Sequence, residues 1–427
     1  MTPYIPPELV EIVIAETQRD PDTGVLPTKP PFCRNKAHLG SYSLVCRQWR
    51  PIAQALLFRE IVVALERTSP AELLSFLRSA PQIAGAVRFL DFGVRSIPSW
   101  ATVKDKEIPG VCPAVLMEIL YYILTGVNHV KLQNLIILGW PQEVPLPARP
   151  LDLTRLVLRG VTYKPLSEPH LLPFDVLSFF CVGRLTVYNN TVTVQCADRE
   201  DGSPPAVLAL PSSEGRAVRE IVATGPDCFL TYSIERGRTL NAEHVRSLTL
   251  NLHDRASLRF AGSLLQHYGG RATDVELNIS QGAWYRSEVP IGTDFLEACS
   301  LAPCANIRCL RLLWTIASAR PGYSQEDLLA RLSEALSTAL ASTPTTLQEL
   351  RFTFWEDVMG PPKDFAKVAP HVARRIAQAV GRFPHLKRVA LVIEEPLTAD
   401  RCTTIINDLL PKEIVDRRLV IFETLGE

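Results

Sequence analysis

One spacing recurs along this chain and restricts its fold more than any other feature: an apolar residue, two of any kind, an apolar residue, one of any kind, and a third apolar residue. It occurs at Val87/Leu90/Phe92, Leu132/Leu135/Ile137, Leu153/Leu156/Leu158, Val245/Leu248/Leu250, Ile307/Leu310/Leu312, Leu347/Leu350/Phe352 and Leu386/Val389/Leu391. The last two positions are two residues apart, so in a strand they share one face, and the first marks the chain's entry into that strand. Weaker strand candidates lie at 182–194, 218–223, 275–279 and 419–422, and 61–65 is a candidate first strand.

Helical periodicity fills stretches between these strands, at 71–77, 115–124, 257–267, 325–340 and 365–383. Alternation of strand and helix predicts an α/β chain with parallel pairing. The strand spacing resembles that of leucine-rich repeats. The resemblance implies an irregular solenoid of parallel strands and helices over residues 61–427. Copies follow one another at roughly 21 to 45 residues, wider than the about 20 to 29 of standard repeats, and the asparagine that usually ends the consensus is mostly missing. An open array has two sheet ends to protect; the N-terminal helices are expected at one and residues 401–410 near the other.

The first sixty residues have a different pattern. A proline pair, Pro6 and Pro7, precedes Glu8 and a run with Leu9, Ile12 and Val13 on one helical face. A polar, proline-rich stretch at about 19–37 reads as an exposed loop. Periodicity resumes at Leu39, and Ser43-Leu44-Val45-Cys46-Arg47-Gln48-Trp49-Arg50 leads into Pro51, which disfavours helix at Arg50 and starts another over 52–58. These residues resemble the F-box family, whose fungal members often show such a pattern: an LPxE-like opening, a central SxVCRxW helix and a closing helix. Ile5 stands where leucine is usual, and the loop is an insertion. The resemblance covers residues 1–60 and implies a trihelical motif that docks on a Skp-type adaptor and, through it, on a cullin. The positions it carries over are Pro6, Glu8, Leu9, Ile12, Val13, Leu44, Val45 and Trp49. A motif this small must also use its apolar residues internally.

Lysine plus arginine balances aspartate plus glutamate at 45 each, so charge predicts no nucleic-acid or anionic-membrane partner. No secretory signal is visible, and the most apolar stretch, 115–127, contains Glu118 and falls short of the about 20 residues a membrane span needs. An intracellular protein, cytoplasmic or nuclear, is expected. The ten cysteines form no CxxC pair; Cys299, Cys304 and Cys309 are spaced by five with no neighbouring histidine, so buried thiols are expected and no zinc site. No P-loop, GxGxxG, GxSxG, HExxH or EF-hand pattern occurs, and no catalytic residue, metal site or cofactor is predicted.

Strand parity locates a candidate recognition face. If Leu350, Phe352 and Phe354 point inward, then Arg351, Thr353 and Trp355 face outward, joined by Arg155, Arg159, Thr249, Asn251, His253, Glu276, Asn278, Arg311, and Arg388 with Glu394. Trp314 shares the inward side. Arg311, Arg351, Trp355 and Arg388 are the candidate contacts to an unknown protein substrate, because aromatics beside arginines favour binding hot spots. Three functions fit: a substrate receptor of a ubiquitin ligase, a repeat scaffold unconnected with ubiquitination, and an α/β enzyme such as a hydrolase, which lacks a nucleophile motif.

Overall fold

A computed structural model describes residues 10, 13, 36–45, 47, 49–94, 110–120, 126–138, 151–164, 180–188, 190–192, 218–227, 230–231, 234, 242–280, 298–316, 325–356, 365–393, 404, 406–416 and 419–424. Pro6, Glu8, Leu9, Ile12 and Glu394 lie outside these residues. The chain is α/β, and among the described residues every strand pair whose register is resolved is parallel. It divides into two compact units, Met1–Leu185 with Asn190–Arg216, and Thr186–Asn189 with Ala217–Glu427.

In the first unit, β1 (Glu60–Ala64), β2 (Phe89–Gly93), β4 (His129–Gln133), β6 (Leu151–Arg159) and the greater part of β8 (Phe180–Tyr188) follow one another in that order. A smaller sheet runs alongside, β3 (Gly110–Val111), β5 (Ile136–Leu138), β7 (Thr162–Lys164) and β9 (Thr191–Val192). The chain passes from large sheet to small through a left-handed corner, at Asn134 (φ 49°) and at Gly160 (φ 60°). Glycine is required at the second corner, because a Cβ there would sit 2.6 Å from Asn134 Oδ1. A third corner is held by Asn190, 1 % exposed. Its Oδ1 accepts from Val161 N at 2.8 Å and its Nδ2 donates to the Leu158 carbonyl at 3.1 Å, so one amide satisfies two buried backbone groups of the preceding turn.

The second unit is a single run of neighbouring strands, β10 (Glu220–Thr224), β11 (Ser247–Leu252), β12 (Asp274–Ser280), β13 (Cys309–Ile316), β14 (Glu349–Glu356), β15 (Arg388–Ile393) and β16 (Val420–Thr424). Helices Arg255–Tyr268, Gln325–Ser342, Phe365–Arg382 and Lys412–Asp416 fill the connections. Helix Arg255–Tyr268 starts where Asp254 and Ser257 cap each other: Ser257 N donates to Asp254 Oδ1 at 2.7 Å and Asp254 N donates to Ser257 Oγ at 2.9 Å. Its buried stripe includes Leu258, Ala261, Leu264, Leu265 and Tyr268. Gly262 brings the helix close to the next segment, since a Cβ would meet the Ala298 carbonyl at 1.7 Å.

Every residue of the seven apolar triads is buried, but in one the frame differs from the strand register. Leu90 and Phe92 pair with Val130 and Leu132, so the in-register triad is Val127/Val130/Leu132. Leu135 precedes β5 and Ile137 lies within it, in the smaller sheet. Both frames are apolar there because the chain crosses two sheets within twelve residues, and periodicity alone does not separate them. Helix boundaries also differ near the N-terminus. One helix spans Lys36–Val45 and the next Trp49–Leu57, so the break comes before Trp49 and not at Arg50. Pro51 is the third residue of its helix, where the N–H it lacks would have had no intrahelical partner.

Candidate functional site

The helices Lys36–Val45 and Trp49–Leu57 pack on each other and on the segment before them. Val10, Leu39 and Ala53 are fully buried at the centre, and Tyr42, Trp49, Ile52, Leu56 and Leu57 pack around them. Tyr42 and Trp49 meet edge-on with ring centroids 5.9 Å apart. Arg50 Nε donates to the Ser43 carbonyl at 3.4 Å, tying the two helices across their turn. Trp49 is therefore partly buried and packs inward. Leu44 is the opposite case: 79 % exposed, it leaves most of a leucine side chain in water on the outer face of its helix. Val13 is 49 % exposed. Val45 lies in the same helix as Leu44, and its side chain is outside the described residues, like Pro6, Glu8, Leu9 and Ile12.

In the second unit the strands alternate as a one-sided sheet should. Leu310, Leu312, Leu350, Phe352, Val389 and Leu391 are buried, and Arg311, Arg351 and Arg388 occupy the other face. Trp355 pairs in register with Thr315; its side chain and that of Trp314 are outside the described residues. The three arginines do not stand alone. Arg351 Nε lies 2.6 Å from Glu349 Oε1 and its terminal nitrogen 3.5 Å from Glu423 Oε2. Arg388 completes the ring, 3.8 Å from the same Glu349 oxygen and in direct contact with Glu423. Arg311 pairs with Glu276 at 3.7 Å. The face thus carries alternating, balanced charge across β12 to β16. Pairs this exposed each contribute about 0 to 1 kcal/mol, so their main effect is to order six side chains over the sheet.

Glu349 and Glu423 were legible in principle, because each lies at outward parity on its strand; inspection for positive hot spots passes over them. The open face is also less polar than its charged residues imply. Ala390 and Val392 occupy outward positions of β15 and are nonetheless buried, 0 % and 8 % exposed. Their register neighbours include Arg351 and Thr353, and a short side chain between longer ones is covered by them. Further along the face, Asn251 Nδ2 donates to Thr224 Oγ1 at 2.7 Å. His253, past the end of β11, titrates below its ordinary range because burial disfavours its charged form, against the pull of Asp254.

Cys309 lies on this face between Asp274 and Glu349 in the register. Burial pushes its thiol up, opposed by a hydrogen bond from Arg311. Burial also pushes Cys299 and Cys304 up to about 12, so both hold their protons and are poor nucleophiles. Among the described residues no group of three histidine, cysteine or acidic side chains is placed to hold a metal, and no helix is long and apolar enough to cross a membrane. In the first unit, Arg155 is half-buried and Arg159 exposed on β6. There His129 stacks near Phe89 at 6.2 Å and titrates below its usual range, through burial and then through the charge of Arg155. No protein-family model matches the chain, and no curated protein matches it.

Proposed function

We propose that the chain is a recognition subunit of a Skp/cullin/F-box-type ubiquitin ligase: the N-terminal helices engage the adaptor, and a leucine-rich-repeat-like solenoid holds a target protein. The observation that carries the reading is Leu44. A helical cluster of this size uses its large apolar residues for its own core, as Leu39 does fully and Trp49 in part. Leaving Leu44 almost entirely in water fits a side chain whose burial awaits a partner. Its place beside Val45 in the SxVCRxW segment is what the F-box resemblance expects of a docking face. The two left-handed corners support the repeat reading in the first unit, since they turn two successive copies in the same way, and the Asn190 amide ties a third copy to the one before it.

The target is proposed to meet the open face of the second unit around Arg311, Arg351, Arg388 and Trp355. Because the arginines are neutralised by Glu276, Glu349 and Glu423, the face suits a partner of mixed charge that can exchange pairs with them. The experiment is affinity purification of the full chain co-expressed with a Skp-type adaptor, comparing wild type with Leu44→Asp. Recovery of adaptor with wild type and its loss in the variant, with circular dichroism unchanged, supports the reading. Equal recovery from both places the adaptor elsewhere, and absence of adaptor from both favours a scaffold unconnected with ubiquitination.

A further inference from the structure

The entry edge of the second unit's sheet carries a second charged row, and its chemistry differs from that of the open face. One residue before each strand, a backbone carbonyl accepts from two N–H groups of the next copy. Arg219 O accepts from Arg246 and Ser247, Arg246 O from Thr273 and Asp274, Thr273 O from Arg308 and Cys309, Arg308 O from Gln348 and Glu349, and Gln348 O from Lys387 and Arg388, all at 2.7 to 3.3 Å. These bonds stitch Arg219, Arg246, Thr273, Arg308, Gln348 and Lys387 into one line, one residue per copy. Four of the six are cations, all four exposed.

Arg246 is used locally, its terminal nitrogen donating to the Glu243 carbonyl at 2.8 Å. Arg219, Arg308 and Lys387 make no ion pair with any described residue. The contrast with the open face is direct: there every candidate arginine has a carboxylate, whereas here three exposed cations have none among the described residues. Gln348, between them, offers a neutral hydrogen-bonding group, while the Thr273 hydroxyl is engaged with Asp274 Oδ2 at 2.7 Å.

We infer that this edge is a docking line for an acidic, extended peptide. Charge complementarity selects the sign, and spacing selects the form. Adjacent strands lie about 4.8 Å apart, so five steps from Arg219 to Lys387 span about 24 Å, the length of roughly seven residues of extended chain. Single-stranded nucleic acid also carries regular negative charge, but its binding sites pair cations with aromatic stacking platforms, and no position of the line is aromatic. The inference rests on the second unit being a recognition module and is independent of the adaptor.

The test is fluorescence anisotropy of a labelled eight-residue oligoglutamate with the full chain. Wild type should bind at low salt and weaken as ionic strength rises. Arg308→Glu with Lys387→Glu should weaken binding at least tenfold, while Arg259→Glu with Arg374→Glu, the same charge change on exposed helical positions, should stay within twofold. Should the reversal pair fail to fold, Arg308→Gln with Lys387→Gln should still weaken binding measurably. No binding by wild type, or equal loss from edge and helix variants, overturns the inference. A single-stranded oligonucleotide of equal charge binding more tightly than the peptide overturns the choice of partner. Adaptor recovery is read separately, so failure of the docking line and failure of the ligase reading are distinguishable.

Discussion

Replacing Asn190 by alanine removes one side chain and leaves two backbone groups without partners. Val161, fully buried, loses the acceptor for its N–H, and the Leu158 carbonyl loses a donor. An unsatisfied buried polar group costs about 1 to 3 kcal/mol, so the pair together predicts a loss of about 2 to 6 kcal/mol in the local stability of the corner. Asn190→Asp keeps an acceptor for Val161 N but turns a carboxylate oxygen on the Leu158 carbonyl. At neutral pH it should cost at least as much as alanine and recover part of the loss once the acid is protonated. Two units in one chain make a single global unfolding curve a poor reporter. Native-state hydrogen exchange at the Val161 amide reads the corner itself, and exchange there should accelerate at least tenfold, because about 1.4 kcal/mol corresponds to a factor of ten. Acceleration below threefold would mean that the backbone finds other partners, and would refute the role assigned to the amide.

Three further outcomes follow. Gly160→Ala places a Cβ 2.6 Å from Asn134 Oδ1 at a positive φ and should destabilise the corner by about 1 to 2 kcal/mol or more, read as faster native-state hydrogen exchange at the Thr162 amide; unchanged exchange contradicts the corner geometry. Because folded His129 titrates below 6.5, the unfolded chain takes up a proton first as pH falls. Its contribution is therefore intact above pH 6.5 and lost below it, and the hydrogen-exchange protection of the Val130 amide should fall less steeply with acid in His129→Gln than in wild type. With thiols held near 12, Cys299 and Cys304 should resist alkylation at pH 8 in the native chain and react fully in denaturant; rapid native labelling would show that both are reachable.

The apolar spacing made the strands legible because parity is a local property: Leu350 and Phe352 are buried and Arg351 is not for the same reason at any position in the sheet. The weaker stretch at 182–194 held the fullest consensus, since Val182, Leu185, Val187, Asn190 and Val192 match it with the asparagine in place. Its strand is recognisable from sequence, but the two backbone groups the asparagine serves are not, because they lie about thirty residues earlier. The frame at Leu132 was ambiguous where large and small sheets meet, and the Pro51 boundary shifted because proline is compatible with a helix's first turn as well as with its start. The ion-pair ring was illegible for a different reason. Its members come from β14, β15 and β16, far apart in sequence, and only the register brings Glu423 to Arg351 and Arg388.

The reading of the chain as an adaptor-bound receptor is tested most directly by calorimetric titration of the full chain with a Skp-type adaptor. It predicts a one-to-one complex in which Leu44→Ala weakens binding by about 1 to 2 kcal/mol, roughly five- to thirtyfold, because a side chain 79 % exposed in the free chain becomes buried on docking. Saturable binding with Leu44→Ala indistinguishable from wild type, or no heat of binding at any ratio, would contradict it.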